Sequence, residues 1–366
     1  MSLTDLLKAY KEGKFGCYEK RLFLLLFLAT VSNVFPALLT LVSQYTPTHY
    51  CAEVAEQIQN ATERLLETGS TIPGNWEELA LNYTVPWEKD DLGNYHRSSC
   101  ERYNVSSIPL DLANTGTSMA DNRSIISCDS IFFEGNATSM TTEFQLVCDN
   151  DWKKPLYTAV YMVGNFIGGF TGGIVSDRFG RRFTFLSFTA LQFAVAFFLG
   201  FVSSEIAYAI LMFCGGFGGL INYMAATIIG YEFVAPQFRF VMYFAIGSAF
   251  AVGYMLLAPI MFIFQDWRWY MRFTGLVGLL YIPYYWLIDE TPLWLLAKGR
   301  NEEAKKVLKK VAKMNGKDDS YVTEELENLI KNRIASTSGG GSFRTFVKVF
   351  KSHVLVYRIF AICFSW

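Results

Sequence analysis

GIVSDRFGRR, residues 173–182, lies where one long apolar block (156–175) gives way to the next (183–202). Each block supplies the roughly 20 apolar residues needed to cross a hydrocarbon core about 30 Å thick. The join between them is short and crowded with charge. Gly180 permits a tight reversal. Asp177 stands where it can cap a helix or pair with an arginine. Arg181 and Arg182 cannot enter the apolar core, so they anchor the turn at a membrane surface.

Outward from this turn the pattern repeats. Further apolar blocks occupy residues 22–42, 206–229, 240–264 and 273–288, and none of the six contains Asp, Glu, Lys, Arg or His. The first is too long and begins too late for a cleaved signal peptide, and no A-x-A-like site follows it. Hydrophobic residues make up 52% of the chain, which is only slightly high for a globular protein; their concentration in uncharged blocks is what points to a multi-spanning membrane protein. A seventh apolar run, 354–366, carries Arg358 and is too short to span. It reads as the start of another helix.

Charge between the blocks sets the orientation. Lys8, Lys11, Lys14, Lys20 and Arg21 precede the first block, Arg178, Arg181 and Arg182 follow the second, and lysines from Lys298 through Lys331 follow the sixth. The positive-inside rule places all three in the cytoplasm; Arg268 and Arg272, between blocks five and six, run against it. The expected organisation is a cytoplasmic tail (1–21), a first span (22–43), an extracellular loop (44–154), spans two to six (155–290), a cytoplasmic helical loop (291–353) and the beginning of a seventh span (354–366). The large loop holds five N-x-[ST] sequons, at Asn60, Asn82, Asn104, Asn122 and Asn136, usable only in the secretory lumen. It also holds Cys51, Cys100, Cys128 and Cys148, an even set that reads as two disulfides with three possible pairings. Cys17, Cys214 and Cys363 read as free thiols. In the inner loop, 301–314 and 321–334 have the spacing of short amphipathic helices, and STSGGGS (336–342) is a flexible linker.

Enzyme machinery is missing from the sequence. There is no H-E-x-x-H, C-x-x-C pair, G-x-S-x-G or P-loop, and His49, His96 and His353 are scattered. No catalytic centre, metal or cofactor is expected. A net charge of −1 gives no basic stripe for nucleic acid. The glycine runs GGFTGG (168–173) and GGFGGL (215–220) lie inside spans, where glycine lets helix backbones approach closely. Charged residues recur at the cytoplasmic ends of the spans: Asp177, Arg178, Arg181 and Arg182 with Gly180, then Glu232 and Arg239 around the turn between blocks four and five, then Asp289 and Glu290 after block six. Acid–base pairs there can hold helix ends together in one state and release them in another, which is the physics of a gate.

These strings resemble the major facilitator superfamily. GIVSDRFGRR is similar to its loop between helices two and three, and Glu232 with Arg239 and DETPLWLL (289–296) to its two other cytoplasmic signatures. TPTHYC (46–51), TEFQLVC (142–148) followed by Trp152, and NYMA (222–225) followed by EFV (232–234) narrow the resemblance to the organic cation branch of the organic cation/anion/zwitterion solute carriers. The resemblance implies twelve helices in two six-helix halves, substrate held near the midplane between them, and facilitated transport by alternating access. This chain would supply the amino-terminal half. Two departures bear on the expected cluster: Asp289 and Leu293 stand where the family has Pro and Arg, which predicts a weaker cluster. Tyr223 stands where Trp is usual, and Leu220 and Thr227 replace a Lys and a Tyr.

Position and chemistry single out substrate-contact candidates: Asn33 and Phe35 in the first span, Tyr161 and Asn165 in the second, Asn222, Tyr223 and Thr227 in the fourth, and Tyr243, Phe250 and Tyr254 in the fifth. An amide in hydrocarbon needs a partner, and aromatic faces hold cations. No ionisable residue lies inside the blocks, so a buried counter-charge would have to come from elsewhere. The reading is a polyspecific organic cation transporter of the plasma membrane; a carnitine-like zwitterion or organic anion carrier is the alternative within the class. A truncated, transport-inactive isoform that regulates other carriers is the alternative outside it. The expected partners are a small organic ion, the lipid bilayer, and a carboxy-terminal six-helix half or an oligomeric partner.

Overall fold

The computed structural model describes residues 16–38, 43–68, 74–89, 93–109, 123–133, 135 and 138–316. The tail before Gly16, the sequons at Asn122 and Asn136, the second amphipathic segment, the linker, Cys363 and the seventh apolar run lie outside these residues.

The helices are α1 (Cys17–Ala37), α2 (Ala52–Glu67), α3 (Trp76–Thr84), α4 (Met140–Glu143), α5 (Lys153–Phe179), α6 (Arg181–Leu199), α7 (Glu205–Phe233), α8 (Arg239–Ile263), α9 (Trp267–Val277), α10 (Tyr284–Leu287), α11 (Pro292–Ala297) and α12 (Asn301–Met314). Among the described residues, α1, α5, α6, α7 and α8 are the helices long and apolar enough to cross a membrane. Each overlaps one expected apolar block. At most of their ends they extend beyond it by a few residues, because a helix continues through the charged residues that flank an apolar stretch.

The sixth block takes a different form. It runs as α9, a 3-10 turn at Gly278–Tyr281, and the single turn of α10. Pro283 has no N–H to give the carbonyl four residues back, and the Leu279 carbonyl accepts from Ile282 at 3.2 Å instead. Three tyrosines compensate by tying this segment to α1. Tyr270, Tyr281 and Tyr284 donate to the carbonyls of Phe35, Ala29 and Leu25 at 3.1, 2.8 and 3.0 Å.

Helix α7 is the hub, packing against α1, α5, α6 and α8. The two glycine runs meet where α5 crosses it. A Cβ on Gly168 would stand 2.7 Å from the Phe217 carbonyl oxygen, and one on Gly164 or Gly216 would collide with the carbonyl of Phe213 or Tyr161. Bare backbone on both sides is what lets these helices touch. Apolar clusters fill the bundle towards each end. One gathers Tyr18, Leu22, Ile229, Phe233, Ile288 and Leu308; the other gathers Phe35, Leu199, Tyr208, Met212, Trp267 and Tyr270.

The stretch between α1 and α5 folds into a lobe. Helices α2 and α3 pack through Ala61, Leu65, Trp76 and Ala80. Three two-stranded antiparallel ribbons accompany them: β1 (His49–Cys51) with β6 (Ile131–Phe133), β2 (Trp87–Lys89) with β3 (Tyr95–Arg97), and β4 (Glu101–Tyr103) with β5 (Ile125–Ser127). Of the three open pairings, the structure joins Cys51 to Cys128 and Cys100 to Cys148, with Cα atoms 5.2 and 5.4 Å apart. Cys17 and Cys214 are free. The lobe rests on the helices through Glu143, which accepts from Trp267 Nε1 at 3.2 Å and Arg268 Nε at 2.9 Å. That hydrogen bond holds the Arg268 guanidinium above its ordinary pKa. The Arg272 guanidinium donates to the Gly200 carbonyl at 3.0 Å and lies over the Phe201 and Trp269 rings. The two arginines that oppose the charge rule are therefore occupied rather than free.

Candidate functional site

The end of the bundle away from the lobe carries an ion-pair cluster built around the reversal at Gly180. This residue ends α5 and precedes α6 with φ +104° and ψ 157°, a conformation essentially restricted to glycine. A Cβ there would also strike the Glu290 carboxylate. Glu290 uses that space. Its Oε1 accepts from the backbone N–H groups of Arg181, Arg182 and Thr291 at 2.9, 3.2 and 3.0 Å. Gly180 has no side chain to cap α6, so an acid from a segment more than 100 residues away does so, at the end where the helix dipole favours negative charge.

The Arg181 side chain is the second connector. It pairs with Asp177 at 2.8 Å and with Glu232 at 3.2 Å, and donates to the Ser176 carbonyl at 3.1 Å. Trp294 Nε1 donates to the Asp177 carbonyl at 2.9 Å. The structure thus joins Asp177, Gly180, Arg181, Glu232 and Glu290, and so links α5, α6, the end of α7 and the entry to α11. Three expected members stay outside. Arg178 is exposed over the Phe179 ring. The Arg182 guanidinium turns to the Tyr285 carbonyl and ring. Arg239 is exposed and makes no ion pair among the described residues.

Asp289 serves a separate contact. Its carboxylate takes Lys310 of α12 at 2.7 and 2.8 Å and the Tyr18 hydroxyl of α1 at 3.2 Å. Asn315 completes the contact, accepting from Tyr18 N at 2.9 Å and donating to Glu19 at 3.1 Å. The amphipathic helix expected at 301–314 is α12, and it docks through Leu308, Val311 and Ala312.

The substrate candidates separate into two sets. Asn222 is buried, but its amide is already satisfied: Oδ1 accepts from Thr189 at 2.9 Å and Nδ2 donates to Gln192 at 3.1 Å. It joins α7 to α6. Phe35 is buried in the apolar cluster beside the lobe. Thr227 returns its hydroxyl to the Tyr223 carbonyl of its own helix. Asn33 differs: it is buried, and its Oδ1 has no hydrogen-bond partner among the described residues.

The aromatic candidates do gather. Tyr161 is the exception: it is buried, and its hydroxyl donates to the Ala37 carbonyl at 3.4 Å, with Asn165 one turn further along α5. Tyr223 meets Phe250 edge-on at 5.5 Å, with Tyr243 and Tyr231 nearby. Tyr243 and Tyr254 are 62% and 51% exposed, so this is an open face and not a closed pocket. Sequence reasoning did not single out Tyr231, although it stands two turns after Tyr223 on the same helix. In the most apolar stretch of each helix, only 22% is buried in α5 and in α8, against 44–50% in α1, α6 and α7. A cavity of about 750 Å³ lies elsewhere, in the lobe, beside His49, Tyr50, Arg97 and Phe132.

The family described as "Sugar (and other) transporter" matches residues 124–366. Solute carrier family 22 member 4 of Mus musculus is 28% identical over 337 residues, 88% of this chain and 58% of that protein. Organic cation/carnitine transporter 2 of Homo sapiens is 28% identical, over 83% of this chain and 53% of its own length. Solute carrier family 22 member 2 of Mus musculus is 30% identical, over 94% and 61%. The chain therefore spans somewhat over half the length of the curated relatives it matches.

Proposed function

Because the chain belongs to the sugar (and other) transporter family of the major facilitator superfamily, we propose that it forms one helical half of a carrier for organic ions, working by alternating access and preferring organic cations. The observation that carries this reading is the open aromatic face. Tyr223, Tyr243, Phe250 and Tyr254 form it on α7 and α8, and the apolar blocks they belong to contain no Asp, Glu, Lys, Arg or His. Ring faces attract ammonium groups by about 0.5–2 kcal/mol each and offer nothing comparable to a carboxylate. A second half would close the face into a cleft.

In the proposed orientation the ion-pair cluster is cytoplasmic, and the lobe is exposed outside a cell at the plasma membrane. Two disulfides and the exposed sequons Asn60 and Asn104 support that side for the lobe. Asn82 is partly buried and accepts two hydrogen bonds from Arg97. The cluster acts as the gate on the inner side. With Arg181 paired and Glu290 capping α6, the helix ends are held together; separating those partners frees them to move.

Uptake of a labelled quaternary ammonium ion by cells expressing the protein tests the proposal. Competition by other ammonium compounds, and none by aromatic carboxylates, is the expected outcome; competition by carboxylates alone overturns the cation preference. Carnitine as a competitor separates the zwitterion reading, which the name of the human relative favours.

A further inference from the structure

A groove of about 540 Å³ runs along α6 on a side distinct from the aromatic face. Arg182, Phe183, Leu186, Ser187 and Ala190 line it at spacings of three and four, one stripe of a helix. Tyr285, Trp294 and Leu295 form the facing wall. From Arg182 to Ala190 the stripe rises about 12 Å at 1.5 Å per residue, most of the depth of one leaflet of a core about 30 Å thick. The far end is small and apolar. The near end is charged and flanked by Tyr285 and Trp294, residue types that settle at the membrane–water boundary.

Charge at the near end is unbalanced. Both carboxylates in the lining are engaged, Glu290 by backbone N–H groups and Glu303 by both arms of the Arg300 fork at 2.7 Å. Arg182 has no carboxylate partner among the described residues and lies 4.8 Å from the Tyr285 ring. Arg178, over Phe179, and Lys298, over Trp294, likewise make no ion pair among the described residues. With Arg300 they make four cations against the two carboxylates in and beside the lining, so among the described residues one end of the apolar channel carries a surplus of positive charge.

We propose that this groove binds one phospholipid with a net negative head group. Its phosphate is held by Arg182, Arg178 and Lys298, and one acyl chain lies along Phe183, Leu186 and Ala190. A choline head group would bring its own ammonium against the same three cations, so the site discriminates against phosphatidylcholine. The inference requires that the chain cross a bilayer. It does not depend on which solute is carried, so it stands or falls apart from the transport reading.

Native mass spectrometry of the purified full chain, titrated with dioleoyl phosphatidylglycerol and dioleoyl phosphatidylcholine, tests it. The glycerol lipid should bind at least about ten-fold tighter, and removing two of the cations should erase most of that preference. Arg178→Gln with Lys298→Gln, both at exposed positions, keeps the test valid if Arg182→Gln does not fold. Ala190→Phe, which fills the channel, should weaken both lipids. Inorganic phosphate at the lipid concentration should not compete. Equal affinity for the two lipids, a preference unchanged in the double variant, or displacement by inorganic phosphate overturns the proposal.

Discussion

Replacing Glu290 with alanine removes one acceptor from three backbone donors at once. The N–H groups of Arg181 and Arg182 open α6, and Gly180 has no side chain to take over. Losing a helix cap costs about 1 kcal/mol. Losing a negative charge at a partly buried helix start costs up to about 2 kcal/mol more. The expected loss for Glu290→Ala is therefore about 2–3 kcal/mol. Glu290→Gln keeps an oxygen in the Oε1 position, which holds all three donors, and loses only charge, so it should cost about 1 kcal/mol. Glu303→Gln is the control: its pair with Arg300 is half exposed on both sides and should be worth under about 1 kcal/mol. Unfolding of the detergent-purified chain, followed by tryptophan fluorescence, should rank alanine well above glutamine. Gly180→Ala should reproduce most of the alanine effect by displacing the same carboxylate, and the two together should cost less than their sum. A Glu290→Ala protein no less stable than Glu303→Gln would refute the cross-chain cap.

Other consequences can be checked as directly. Asn222→Leu strands Gln192 and should lower stability by about 1–2 kcal/mol while leaving inhibition by ammonium compounds within about two-fold; a large change in inhibition with unchanged stability would return Asn222 to the binding face. Peptide mapping without reduction should recover Cys51 linked to Cys128 and Cys100 linked to Cys148, and Cys100→Ser should expose one reactive thiol at Cys148. Lys310→Ala should cost under about 1 kcal/mol because Lys310 is partly exposed. Asp289→Ala should cost more, since it also deprives the Tyr18 hydroxyl of its acceptor, and limited proteolysis should then cut α12 faster.

Much of the bundle was legible because hydrocarbon imposes its length on the chain. Five blocks became five helices long and apolar enough to span, and the amphipathic helix α12 took the bounds that the spacing of Ala304, Leu308 and Val311 gave it. The sixth block shows the limit of hydropathy. Its mean apolarity is that of a span, yet Pro283 and the close approach of Gly278 to Phe193 make the backbone change helix type. The lobe looked like a loop because its short strands fall below any periodicity test, although Val54, Ile58, Ala61 and Leu65 do mark a helix. In the cluster, charge type and position identified Asp177, Arg181, Glu232 and Glu290. Which arginine turned inward depended on geometry around Gly180 that composition does not encode. For Asn222 the need for a partner was visible, but that Thr189 and Gln192 on α6 supply it emerges only once the helices pack.

The contact between Glu143 and Arg268 has a consequence for synthesis. The acid is 125 positions ahead of the base and is made first. In the proposed orientation, the lobe has already reached the oxidising lumen when Arg268 leaves the ribosome. The arginine therefore arrives to find a carboxylate waiting on the far side, along with the carbonyls of Gly200 and Val202. Transferring the later hairpin then ends in a neutral docked pair instead of a stranded positive charge, and the order of translation does part of the work of orienting the last helices.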